Sequence, residues 1–585
     1  MRNLSVFWCL VLVSACFTTL RADSIVNSKH NLAVSGSGDL KASGETEICI
    51  FCHTPHQASG EAALWNHEMP VQQYTPYSSS TMKATDVRQP TGSSKVCLSC
   101  HDGTVALGMV HSRSTLIPMQ GGVLAMPLRR SQLGTDLSDD HPISFRYDVA
   151  LASANPQLKD PGSLNQRVRL DDNKQMQCTT CHDPHNNQFG SFLVQDNTGS
   201  ALCTTCHAQN RWDQSIHKTS VATWNGQGQN PWPHSQGTTV AANACGSCHT
   251  PHQAGTRPRL LNYPVAEQNC FTCHSGNVAQ ANIQNEFNKF SAHPVIGTSS
   301  LHDEAEDPVN PPRHASCVDC HNPHAVQSSP PGSAYASGSI VGVKGMSAAG
   351  SLVNPVTREA ELCYRCHADS VSRRASMVPR QFSETNKRLQ FATANNSFHP
   401  VETVGRNPNV PSLISPWTIS SRMTCTDCHN NDQGPGAGGT GPRGPHGSSF
   451  SPLLESSMQF TDFAPESSGT YASCYKCHSR DSILADQSFQ AINDLGQARG
   501  HNYHIVTAQA SCTTCHDSHG VVSTAHLMNF NSSYVTPSSN GRLEYVSTGT
   551  LSGNCSLTCH GKDHVATPYP NPALSIGNKM RRRGR

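Results

Sequence analysis

The chain is poor in almost everything from which an ordinary soluble domain is built. Only 36% of its 585 residues are apolar and only 14% are charged; Gly, Ser, Thr, Asn, Gln and Pro fill the gap. A chain of this length normally folds as several domains with their own hydrophobic cores. This composition cannot supply them, and by itself it falls near the disordered class. An excess of charge of one sign is missing too. The 42 Lys and Arg offset 41 Asp and Glu to leave +1, which excludes the broadly basic surface of a nucleic-acid binder. After the first twenty-odd residues no apolar run is long enough to cross a bilayer. Heptads, βαβ alternation and sustained two-residue alternation are all absent. What remains predicts short helical turns joined by long Gly/Ser/Pro-rich connections.

Cysteine, in contrast, is abundant and regularly placed. CIFCHTPH begins at Cys49, and the same spelling returns as CLSCH at Cys97, CTTCHDPH at Cys178 and CTTCH at Cys203. CGSCHTPH at Cys245, CFTCH at Cys270, CVDCHNPH at Cys317 and CYRCH at Cys363 follow. CTDCH at Cys425, CYKCH at Cys474 and CTTCHDSH at Cys512 complete eleven copies. A twelfth, CSLTCH at Cys555, has one extra residue between its cysteines. Zinc sites use Cys-x-x-Cys pairs without needing a histidine behind each one. A thioredoxin-like dithiol occurs once, inside a βαβ unit. Cys-x-x-Cys-His repeated without exception is the attachment signature of c-type haem, with two thioethers and a proximal histidine.

The expected covalent anchors are therefore Cys49, Cys52, Cys97, Cys100, Cys178, Cys181, Cys203, Cys206, Cys245, Cys248, Cys270 and Cys273. Cys317, Cys320, Cys363, Cys366, Cys425, Cys428, Cys474, Cys477, Cys512, Cys515, Cys555 and Cys559 continue the series. The proximal ligands are His53, His101, His182, His207, His249, His274, His321, His367, His429, His478, His516 and His560. Twelve covalently bound haem c groups replace the missing core, so folding should be coupled to their attachment. Their propionates make the holoprotein acidic, which again argues against nucleic acid.

Twenty further histidines remain, and bis-histidine ligation of twelve irons uses twelve of them. Five motifs carry a histidine three residues after the motif histidine: His56, His185, His252, His324 and His519. Proline precedes four of these and biases the chain away from helix, so the trailing histidine swings away from its own iron toward that of a neighbouring haem. In the ninth motif, Pro445-His446 at the end of a Gly/Pro-rich stretch serves as the displaced trailing histidine, expected at the pair anchored by His429 and His478. A histidine upstream of each pair of motifs completes the set: His30, His141, His217, His293, His399 and His504. His234, His314 and His501 are substitutes. His67, His111, His302, His526 and His564 are read as surface residues or propionate partners. The repeating unit is an upstream histidine, a motif with a trailing histidine, then a plain motif.

This gives an irregular, haem-cored fold, mostly loops with short α-helical turns and little β structure, drawn out as an elongated chain of haem pairs. The expected segments are 23–140, 141–216, 217–292, 293–398, 399–500 and 501–585, the last with a basic tail MRRRGR. Residues 1–22 read as a secretory signal peptide. Val13-Ser14-Ala15-Cys16 resembles a lipobox, but cleavage after Ala22 leaves every remaining cysteine in a motif. Export to the periplasm, outer-membrane surface or exterior fits c-type haem, which is attached outside the cytoplasm.

HNLAVSGSGDLKASGETEICIFCHTPH, YTPYSSSTMKA, KVCLSCHDGTVALG, LLNYPVAEQNCFTCHSGN and RHASCVDCHNPHA make the mature chain similar to the multihaem c-type cytochromes of metal-reducing bacteria, in the doubled-motif group. The resemblance implies electron transfer through or beyond the outer membrane. It implies other c-type cytochromes and an outer-membrane porin as partners, and metal oxides, humics or other cells as acceptors. Two alternatives differ in class. A multihaem oxidoreductase needs one haem with an open position; its common mark, a lysine replacing the motif histidine, does not occur. A filament-forming subunit shares the chemistry and differs in assembly.

Overall fold

The computed structural model describes residues 24–570, apart from 61, 63, 236, 256–257, 297–314, 329–335, 337, 372 and 494. The expected signal peptide, Cys16, His302, His314 and the basic tail lie outside the described residues. Two compact bodies are present. One holds residues up to 208 together with 249–260, the other 209–248 and 261 onward.

Helices are short, and most sit on the cysteine motifs. The first motif of a pair forms a single turn that stops before its histidine. Cys178–Cys181, Cys317–Cys320 and Cys512–Cys515 are such turns, and His182, His321 and His516 then take extended backbone with ψ of 134–137°. Pro184 and Pro323 disfavour helix at Asp183 and Asn322 directly before them, and the Cys512–Cys515 turn ends the same way without a proline. Plain motifs more often end a longer helix that includes the histidine, as in Gly92–His101, Gln268–His274 and Glu359–His367.

Strand pairs of two residues tie distant segments together, among them Phe145–Arg146 with Gln175–Met176 and Ser397–Phe398 with Gly520–Val521. The larger sheet is C-terminal. Glu544–Gly549, Ser552–Cys559 and Lys562–Tyr569 form an antiparallel meander, with Val535–Thr536 added at the far end of the middle strand. This is a departure from expectation, because the twelfth motif lies on the middle strand and not on a helical turn.

Apolar packing is divided among small clusters. Ile50, Phe51, Leu107, Val110, Ile117 and Met119 pack against Cys52 and Cys100. Met528, Phe530, Val535, Tyr545 and Leu557 pack against Cys515, Cys555 and Cys559. Phe145, Tyr147, Val168 and Met176 meet Cys181. Each cluster thus buries its apolar surface beside the anchors of a motif, and none extends into a common core. Among the described residues no helix is long and apolar enough to cross a membrane.

Candidate haem-binding sites

Eleven pairs of histidine rings face each other at one spacing. In the N-terminal body the pairs are His30–His101 at 6.1 Å, His53–His185 at 6.0 Å, His141–His207 at 6.2 Å and His182–His252 at 6.1 Å between ring centres. In the other body they are His217–His274 at 6.2 Å, His293–His367 at 6.3 Å, His321–His446 at 6.0 Å and His399–His478 at 6.5 Å. His429–His519 at 6.2 Å, His501–His516 at 6.3 Å and His504–His564 at 6.5 Å complete them. Stacked rings in direct contact, such as His30 on Phe192 at 4.1 Å, sit closer. A first-row metal bonded to an imidazole nitrogen at about 2.0 Å on each side plus the half-widths of two rings fills this gap.

The pairs follow one rule. An upstream histidine meets the plain motif of its own pair, as His30 meets His101 and His399 meets His478. A trailing histidine instead reaches back to the first motif of the preceding pair: His185 to His53, His252 to His182, His446 to His321 and His519 to His429. His446 is therefore one pair further back than the sequence suggested, and does not stand at His429 or His478. At the sixth pair His501 faces His516, in the place a trailing histidine takes at His53, His182, His321 and His429. His56 is exposed, with no ring neighbour among the described residues. His324 stands beside Trp212, their rings 6.3 Å apart.

A second contact locks the stagger. The residue before each trailing histidine offers its carbonyl to the upstream histidine of the preceding pair. His30 Nδ1 donates to Pro184 O at 3.2 Å, His217 Nδ1 to Pro323 O at 2.9 Å, and His293 Nδ1 to Pro445 O at 2.8 Å. His399 Nδ1 donates to Ser518 O, and the His141 backbone N–H to Pro251 O at 2.8 Å. Proline has no N–H to compete, so its carbonyl is left for this use. Motif histidines are held alike: His101 by Ser131 O at 2.6 Å, His182 by Ser191 O at 2.9 Å, His249 by Arg259 O at 2.7 Å and His429 by Pro452 O at 2.8 Å. A proton fixed on Nδ1 leaves the Nε2 lone pair for a metal and fixes the plane of the ring.

Electrostatics agree. Burial, reinforced by the facing ring, lowers His207, His274, His367 and His478 to about 4 and His446 to about 3. All are neutral at physiological pH, as ligation requires. Burial pushes the Cys181, Cys248, Cys320 and Cys428 thiols up to about 12. That environment disfavours thiolate, and hence a zinc site, but suits a neutral thioether.

Successive motifs also adjoin at their cysteines. The Cys97 thiol hydrogen-bonds Cys178, and Cys270, Cys363 and Cys474 likewise meet Cys317, Cys425 and Cys512. In the C-terminal body one continuous cavity of about 3070 Å3 runs past the motifs from Cys270 to His560. A single small-molecule site occupies roughly 300–1,000 Å3, so the space suits several porphyrins. Buried indole N–H groups of Trp65, Trp212 and Trp232 have no acceptor; Trp65 and Trp212 stand against His53 and His324, where a propionate would supply one.

The comparisons decide the family. Residues 172–211 and 238–279 match the doubled CXXCH motif family, and 352–529 match the outer membrane cytochrome MtrC/MtrF-like family, domains II/IV.

The chain is a multihaem c-type cytochrome.

This cytochrome is also 26% identical over 104 residues to the multiheme cytochrome MtrA of Shewanella baltica. The match covers 18% of the chain and 26% of that relative, so the chain spans about a quarter of the relative's length. Sequence reasoning had found the cytochrome's trailing and upstream histidines but not their stagger. Its signal is the sixth pair, where a spare histidine, His501, stands just upstream.

Proposed function

We propose that this cytochrome is an electron conductor of extracellular respiration, carrying twelve haems with histidine on both axial faces. The observation that carries the reading is the set of facing imidazoles at 6.0–6.5 Å, ten of which include a motif histidine. Bound haem iron supplies a reversible one-electron couple, and two imidazole ligands place it at low potential.

The chain's residues perform the remaining tasks. Cysteines fix each porphyrin edge, and the hydrogen-bonded cysteine pairs bring successive edges together within each body. Two neutral imidazoles per site leave no coordination position for a small molecule, which favours conduction over catalysis. Backbone carbonyls on Nδ1 hold both rings of the His30–His101 pair and one ring at several others, among them His182, His217, His293 and His429, which limits reorganisation when the iron changes charge.

Likeness to outer-membrane cytochromes supports a place at the outer membrane or beyond it, with other cytochromes and a porin as neighbours and metal oxides as terminal acceptors. Intact-mass analysis and electron paramagnetic resonance of the purified ferric protein test the proposal. Twelve haems, all low-spin and unchanged by cyanide, are expected. A stoichiometric high-spin haem would favour the catalytic alternative. Failure of the reduced protein to pass electrons to ferric oxide would remove the respiratory role.

A further inference from the structure

The twelfth motif breaks the rule that the other motif histidines obey. Its cysteines lie on the strand Ser552–Cys559, and Cys559 pairs with Lys562 across a two-residue turn. His560 and Gly561 form that turn with φ of 49° and 72°. Both values are left-handed, as a type I′ hairpin turn requires. The motif histidine is thus fixed at a hairpin tip, where its ring points by backbone geometry toward Asp462. Its Nε2 lies 2.7 Å from Asp462 Oδ2. Asp462 is fully buried on its side chain. Its other oxygen accepts the Ser511 backbone N–H at 2.8 Å and the Thr514 hydroxyl. Phe463 stacks on the opposite face of His560, 4.7 Å between ring centres. In the motifs of His101, His182, His249, His321, His429 and His516, Nδ1 is tied to a backbone carbonyl. Here Nε2 itself is taken.

Two other histidines have the spacing of a ligand pair. His504 and His564 face each other at 6.5 Å, the same distance as His399 and His478. His504 Nδ1 donates to Gly500 O at 2.9 Å, a carbonyl four residues back in its own segment. His564 lies opposite Leu557 on the neighbouring strand. Leu557 packs in one apolar cluster with Cys555 and Cys559, and residues directly opposite on antiparallel strands share a face. His564 is therefore on the face that carries both cysteines. Cys515, Cys555 and Cys559 pack against the same apolar cluster, which places the site beside the eleventh motif. His501 and His504, three residues apart, thus serve adjacent sites.

We infer that the haem anchored at Cys555 and Cys559 is ligated by His504 and His564, and that His560 is a structural residue bonded to Asp462. This rests on the reading that the motif carries haem. The two fail differently. Eleven haems by intact mass, with Cys555 and Cys559 free, would remove the haem itself. With twelve haems retained, spin state tests the ligands. His504→Ala and His564→Ala should each convert one haem in twelve to a high-spin form that binds cyanide. Added imidazole should restore the low-spin signal in both, which a general packing defect would not allow. If either variant keeps twelve low-spin haems, His560 is a ligand and the inference is overturned. Where an alanine variant does not accumulate, His504→Met or His564→Met replaces it. Each should keep six-coordination and raise one reduction potential; an unchanged set of potentials overturns the inference equally.

Discussion

A single nitrogen decides what each histidine here can do. With Nδ1 committed to a carbonyl, the ring is neutral, oriented and ready on Nε2; with Nε2 committed, as in His560, it is not. His446, whose ring faces His321 at 6.0 Å, tests the pairing at the first site of the fourth pair. His446→Ala should leave the haem count unchanged and produce one high-spin haem, because His321 faces no other ring at that distance among the described residues. A wholly low-spin spectrum would break the assignment. His252 offers a finer measurement. Its Nδ1 lies 3.0 Å from Asp140 Oδ1, a carboxylate where the other ligands have a carbonyl. A buried carboxylate makes the imidazole a stronger donor and favours ferric iron. Asp140→Asn should raise one potential; each tenfold change in the redox equilibrium is about 59 mV for one electron. Spectroelectrochemistry would register it, and an unmoved set of potentials would count against the hydrogen bond. All of these side chains except His564 were legible in the sequence as candidate ligands. The identity of each partner was not, because a ligand's sequence position does not say which ring the fold will bring to it across separations that run from 516 − 501 = 15 to 185 − 53 = 132 residues.

The two kinds of motif turn differ in more than length. Upstream pairs cross steeply, with interplanar angles of 65°, 78°, 67°, 63° and 56°. Trailing pairs lie nearer parallel, at 17°, 35°, 22° and 8°. Crossed imidazoles act on both iron π-type d orbitals alike and keep them close in energy, whereas parallel ones separate them. The frozen ferric protein should then show two low-spin resonances of comparable weight, one highly anisotropic and one ordinary rhombic. A single class would contradict the geometry. Local spelling accounts for the recurring turn. TPHQ at Thr54 and at Thr250 builds the same loop: the threonine hydroxyl donates to the carbonyl of His56 or His252, and Gln57 and Gln253 take φ of 59° and 51°. Ring angles could not be read, since they depend on which carbonyl across the fold catches Nδ1. The hairpin at Cys555 was missed because one added residue between cysteines reads as a bulged helical turn, while the strand pairing that overrides it comes from Glu544–Gly549 and Lys562–Tyr569.

Over the whole chain, the scarcity of apolar residues was the most informative sequence feature. It predicted a fold with no common core, and the small clusters beside the motif cysteines are what such a chain can build. Each buries a handful of side chains worth about 1.5–3 kcal/mol apiece, against an ordering cost of about 1–2 kcal/mol per residue. A chain produced without haem attachment should lack a cooperative unfolding transition, and circular dichroism during denaturant titration would reveal it. A sharp transition in the haem-free chain would show that the polypeptide folds unaided. The division into two compact bodies was not foreseen, because the repeat continues through residues 208 and 260 with no change of composition.

The backward reach of the trailing histidines also sets a timetable. A chain emerging N-terminus first completes each upstream pair at once, since His30 precedes His101 and His399 precedes His478. The other sites must wait. His53 cannot be closed until His185 has emerged, 185 − 53 = 132 residues later, and His321 waits 446 − 321 = 125 residues for His446. At about 5–20 residues per second the first of these delays lasts roughly 7 to 26 seconds. On the proposed ligation, a newly made pair such as the first or the fourth then holds one site whose two histidines are both present and one that still lacks its partner. A helper that masks exposed haem, or a supply of free ligand, would have its use in that window alone, and the newest pair would be the place to find it.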